Sequence, residues 1–133
     1  MIAAKAPQGY VREHLVGAET EEPRAIDLVH LARQTDGDIQ LESELLAMFD
    51  AQSSKLSARL ALAEVGAQAK ADIAHRLRGS ALAIGARRVA AAAERVEAHF
   101  VAEVAGQGGG GDPVPELAAA VAEARAEIAR LNG

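Results

Sequence analysis

The chain has no cysteine and no tryptophan, and aromatic residues make up only 2% of its 133 positions. The missing cysteines exclude a disulfide framework and a thiolate metal site, and they fit a reducing compartment. With so few aromatics, Ala, Leu, Val and Ile must fill the core of a chain that is 50% hydrophobic. Such side chains suit closely spaced helices, and alanine has the highest helix propensity. Runs of β-branched residues with period-two alternation are missing as well, so composition predicts one all-helical domain. The first residues, Met1-Ile2-Ala3-Ala4-Lys5-Ala6-Pro7, hold no apolar run long enough for a signal peptide, and no later stretch is long enough to span a membrane. A cytoplasmic protein without membrane contact is therefore expected. The net charge of -5 lacks the basic balance of a general nucleic-acid binder. Positive charge is nonetheless uneven, with Arg76, Arg78, Arg87 and Arg88 crowded into one short stretch. The ordinary reading of such a cluster is a solvated helix face.

Residues 1–24 mix proline, glycine and charge without periodicity, and they read as a flexible N-terminal arm preceding a helical domain over 25–133. A short helix is predicted from about Arg24 to Gln34, with Ile26, Val29 and Leu31 as its apolar residues. Gly37 supplies a permissive turn, and Asp38 is placed to cap the next helix. That long helix is predicted from Ile39 to Val65, with Leu45, Met48, Phe49, Leu56 and Leu60 recurring at helical spacing. Gly66 breaks it. A third helix is predicted over Ala67 to Ile84, closed by Gly85, and a fourth over Ala86 to Val104 with Val89, Ala93, Val96 and Phe100 on one stripe. The glycine-rich run from Gly106 to Asp112 reads as a flexible linker. Pro113 and Pro115 then suit the start of a last helix carrying Leu117, Val121, Ala124, Ile128 and Leu131. The expected architecture is an antiparallel four-helix bundle, with the additional short N-terminal helix capping one end.

Chemistry concentrates on the third helix. At about 100° per residue, Ile73, Leu77, Ser80, Ala81 and Ile84 fall on one side and His75 almost opposite. Beside His75 on the exposed side the wheel places Ala71, Asp72, Arg78, Gly79 and Leu82. Gly79 lies one turn beyond His75, inside a helix, where glycine costs about 1 kcal/mol relative to alanine. Its missing side chain opens a shallow notch next to the imidazole. Leu82 is an exposed apolar residue that a partner could cover, and Arg78 can offer charge-assisted hydrogen bonds to a phosphoryl oxygen. An accessible imidazole beside a guanidinium and a notch suits a docking nucleophile.

The stretch Ala74-His75-Arg76-Leu77-Arg78-Gly79-Ser80-Ala81-Leu82-Ala83-Ile84-Gly85-Ala86 resembles the signature of histidine-containing phosphotransfer (HPt) domains. That signature has alanine and histidine, then after two residues a basic residue, usually lysine, followed by glycine, serine and a further glycine. Leu45-Leu46-Ala47-Met48-Phe49 is similar to the apolar segment of the family's preceding helix, and Val89 through Glu97 to its following helix. The resemblance implies that His75 is the phosphoacceptor, that Arg78 stabilises phosphate and that Gly79 gives the partner access. It also implies that Glu97 hydrogen-bonds the second imidazole nitrogen, leaving Nε2 free for phosphate. Arg78 departs from the usual lysine, being a planar fork where lysine is a compact charge. Ala71, Arg76 and Leu82 are the candidate docking residues.

The resemblance further implies a phosphocarrier, not a self-sufficient enzyme. It would have no cofactor on this chain, and Mg²⁺ would reside in the partner receiver domain. Expected partners are response-regulator receiver domains and a (hybrid) histidine kinase, with the chain acting as a monomer. One rival is the phosphoacceptor domain of a chemotaxis-type kinase; the end of the chain at Gly133 favours a stand-alone relay protein. A non-phosphorylated helical adaptor is a second rival, opposed by the combination of histidine, basic residue and glycine. A sensor kinase's dimerisation helices are disfavoured, because Arg76 and not an acid follows the histidine. His14, His30 and His99 lack a basic-glycine context and any metal-ligand spacing, so they read as structural or surface residues. The Gly108–Gly111 run is no phosphate loop, and Glu21, Glu22 and Asp36 read as solvated charge.

Overall fold

A computed structural model describes residues 24–133, and local capping chemistry divides these described residues into five helices. The expected arm, with His14, Glu21 and Glu22, lies outside the described residues apart from Arg24. The helices are α1 (Leu28–Gln34), α2 (Ile39–Leu60), α3 (Ala67–Ile84), α4 (Arg87–Val104) and α5 (Val114–Asn132). Asp27 caps α1 by accepting from the His30 backbone N–H, and Asp38 caps α2 by accepting from that of Leu41. Asp36 and Gly37, both with positive φ, turn the chain between them. Gly85 ends α3 in the left-handed conformation, at φ 84°.

Contacts between the helices give the topology. Ser43 and Asp50 of α2 meet Asn132 and Arg125 of α5, so the numbers run in opposite directions. The same reversal holds for α3 and α4, where Lys70 meets Phe100 and His75 meets Glu97, and for α4 and α5, where Arg88 meets Glu123 and Arg95 meets Glu116. Helices α2 to α5 thus close an antiparallel ring, with α2 against both α3 and α5. Helix α1 packs on α3 and α2 at one end. Its lead-in residue Ile26 is fully buried, and the Asp27 N–H donates to the Gly85 carbonyl at 2.9 Å.

The core is made of α2 residues Leu46, Phe49, Leu56 and Leu60 facing Leu77, Val96, Leu117, Val121 and their neighbours. Three expected apolar positions lie outside it. Met48 is 67% exposed and Val29 61%, because each sits two residues, about 200°, from a buried leucine (Leu46 and Leu31). Leu131 is 39% exposed in the last turn of α5. Helix α2 also stops at Leu60 and not Val65. Residues 61–66 form turns that reverse the chain, and Val65 packs against the core instead of extending the helix.

Candidate functional site

Helix α3 buries a broad face. Ala71, Ile73, Ala74, Leu77, Ala81 and Ile84 all lie inside, because α3 packs against both α2 and α4. His75 projects from the other side with its side chain 67% exposed. Its Nδ1 lies 3.0 Å from Oε2 of Glu97 on α4. An ionised carboxylate only accepts, so Nδ1 is the donor in this contact, and in the neutral ring the free lone pair is then on Nε2. Glu97 is more sheltered than the histidine, at 26% exposure.

Two arginines share the exposed part of α3 with His75 and the acid Asp72. Arg76 is exposed and Arg78 half-buried on the same helix. Among the described residues, neither is paired with a carboxylate. Other arginines are engaged. Arg95 grips Glu116 through two nitrogens, which raises its own pKa, and Arg125 holds Asp50 at 2.7 Å. Glu127, itself buried, is shared by Arg24 and Arg130. Helix α3 therefore keeps two guanidinium groups available beside His75.

The two glycines of this region differ in kind. A Cβ built on Gly79 meets nothing within 4 Å, so the fold itself has no steric need for glycine there. A Cβ on Gly85 would lie 2.9 Å from the Asp27 carbonyl oxygen, at a backbone conformation that side chains resist. Asp27 is held there by more than packing. Its carboxylate accepts from the His30 N–H and pairs with Arg87 at 2.6 Å, and both lower its pKa below the usual carboxylate value.

The exposed face is corrected at one position. Ala71, expected beside His75 as a docking residue, is 2% exposed. It lies on the flank of α3 that turns toward α4, one residue after Lys70, whose ammonium sits 5.4 Å from the centre of the Phe100 ring. Leu82 is 48% exposed, as the wheel placed it. Ser80, assigned to the core side, is half-buried, and its hydroxyl donates to Oε1 of Gln52 on α2 at 2.9 Å. Gln52 was not singled out by the sequence. One polar residue among Asp50, Gln52, Ser53, Ser54 and Lys55 gives no signal for such a bridge. His99 stacks edge-on to Phe100, and the His30 Nε2 is buried with no hydrogen-bond partner among the described residues. Neither contacts His75.

The model of the Hpt domain family matches residues 40–132, which takes in all of α3, α4 and α5 and all of α2 but its first residue. The chain belongs to the Hpt domain family. No curated protein and no solved structure matches it. Hpt domains are helical bundles that act in phosphotransfer in two-component signalling, in contact with receiver domains and kinases. In this Hpt domain the match contains His75, Arg78, Gly79 and Glu97, while α1 precedes it.

Proposed function

We propose that His75 accepts a phosphoryl group from a receiver-domain aspartate and passes it to another response regulator. The observation that carries this reading is the exposed imidazole whose Nδ1 is engaged by Glu97, beside two arginines without carboxylate partners. In the forward step the Nε2 lone pair attacks phosphorus, the N–P bond forms, and the bond from phosphorus to the aspartyl oxygen breaks to release carboxylate. The Nδ1 proton stays in place. The product ring is then a phosphorylated imidazolium, and the adjacent Glu97 carboxylate offsets its charge. Transfer onward reverses these bond changes against a second aspartate.

Phosphoryl transfer is mainly positioning and charge stabilisation. Arg78 supplies a guanidinium to the phosphoryl oxygens, and Gly79 leaves room for the partner's approach. Arg76 and Leu82 lie on the face that meets the partner; buried Ala71 does not. The Mg²⁺ of the reaction belongs to the receiver domain. No helix among the described residues is long and apolar enough to cross a membrane. The reading puts the protein in the cytoplasm as a monomeric carrier between a hybrid kinase and its regulators, with no nucleic-acid partner.

The test is transfer from a phosphorylated receiver to wild type and to His75→Gln. Wild type should acquire an acid-labile label and the variant none. Equal labelling of both, or labelling of neither where a control relay works, refutes the reading.

A further inference from the structure

Glu97 closes the α4 side of the His75 ring, which leaves the opposite flank of α3 for a partner. Burial marks the two sides. On the α4 side the surface ends at once, with Ala71 buried and Arg78 half-buried. On the other side Gly79, Ala83 and Arg76 are all exposed, at about 40°, 80° and 100° from His75, as far as Ser80. Ser80 meets Gln52, so this flank is continuous with the edge of α2.

The edge of α2 carries two cations there. Arg59 lies two turns beyond Gln52 on nearly the same stripe, and Lys55 lies between them; both are exposed. Because α2 and α3 are antiparallel, each step forward from Gln52 is a step back from Ser80. Lys55 is thus level with Leu77 and Arg59 with Ile73, on either side of His75. Among the described residues neither has a carboxylate partner. The acid of this flank is Asp72, which accepts from Gln68 at 3.0 Å, and Glu64 stands in the connection to α3. At the other end Met48, one turn before Gln52, exposes its apolar side chain, and so does Leu82, almost in line with His75 along α3. The flank therefore has a basic end, a central notch at Gly79 and an apolar end, on a chain of net charge -5.

We propose that the receiver domain docks along this α2–α3 flank, with Lys55 and Arg59 as specificity-determining contacts for an acidic rim on the receiver and Met48 and Leu82 covered by an apolar one. The proposal rests on the relay reading of His75. Uncompensated cations at an interface rim steer an acidic partner and set the rate of association more than the chemistry.

The test separates loading from docking. Phosphoramidate, a small phosphoryl donor, loads His75 without a partner, and the loaded protein is then mixed with whichever receiver of a panel wild type labels fastest. Lys55→Glu and Arg59→Glu should load like wild type. Each should transfer about threefold to tenfold more slowly at low ionic strength, with the difference shrinking as salt is added. Arg33→Glu, the same charge change on α1, should transfer at the wild-type rate. Wild-type transfer by both α2 variants, or equal slowing by Arg33→Glu, overturns the docking proposal while leaving the relay reading intact. Failure of His75 to load, or to label any receiver, overturns both.

Discussion

Gly79 and Gly85 lie within two turns of each other, and their replacement by alanine should move stability in opposite directions. At Gly79 the added methyl meets nothing within 4 Å, and the position is exposed inside a regular helix. The only change is in helix propensity, which favours alanine by about 1 kcal/mol. For a domain of this size that raises Tm by about 4 °C. At Gly85 the left-handed conformation alone costs a side chain about 1–2 kcal/mol. The new Cβ would also press on the Asp27 carbonyl oxygen at 2.9 Å, in the link that docks the α1 lead-in against α3. Gly85→Ala should therefore lower stability by about 2 kcal/mol or more.

Thermal melts followed by helical circular dichroism measure both. A bulky but helix-compatible Gly79→Gln should also keep or raise Tm, while phosphotransfer from a receiver falls steeply. That combination would show that glycine at this position serves the approach of a partner and not the fold. A drop in Tm for Gly79→Ala would refute the reasoning, because it would reveal an internal packing requirement. Unchanged transfer by Gly79→Gln would remove the notch from the mechanism.

Three further outcomes are expected. Glu97→Ala should release the Nδ1–H tautomer of His75, visible in the imidazole nitrogen resonances, and slow transfer about fivefold for a hydrogen bond worth about 1 kcal/mol; an unchanged tautomer would contradict the contact. Asp27 has a folded pKa below its unfolded value, so its contribution is fully present above the unfolded value and is lost as pH falls through the folded one. Wild type should thus be more stable than Asp27→Ala at neutral pH, and the gap should narrow in acid denaturation series below about pH 4; a gap that grows in acid would reverse the sign. Leu77→Ala, at a fully buried position, should cost about 2–5 kcal/mol in chemical denaturation, and a smaller loss would mean that the core around α3 collapses to fill the space.

Much of this molecule was legible because its helices are punctuated by residues with one physical meaning. Asp38 and Gly85 mark helix ends through side-chain capping and positive φ, and α3 runs from Ala67 to Ile84 as the pattern predicts. The apolar stripe of α4 was equally plain, since Val89, Ala93, Val96 and Phe100 are all buried. Alanine was the weak point. It has no preference strong enough to tell a wheel which edge of a face lies inside, so Ala71 was assigned to solvent. Its burial depends on how near α4 comes, which is a tertiary fact. Met48 failed for a related reason: its spacing from its neighbours fits a helix, yet only the arrangement of α3 and α5 around α2 decides which residues face in. Gln52, Lys55 and Arg59 carried no local signal, because their placement beside α3 follows from antiparallel register.

The alanines misjudged at the edge of α3 bear on the chemistry of His75. Helices α3 and α4 are the most closely packed pair of the bundle. Helix α3 buries Ala71, Ala74 and Ala81, and α4 buries Ala90 and Ala93. Small side chains at a contact draw helix axes toward the short end of the usual range of about 8–10 Å. A glutamate on one helix can then reach a histidine on the next at 3.0 Å. Larger core residues here would add buried apolar surface, but they would also push α4 outward and carry the carboxylate from Nδ1. The alanine-rich interface thus gives up some hydrophobic stabilisation and holds the tautomer of the residue that accepts phosphate.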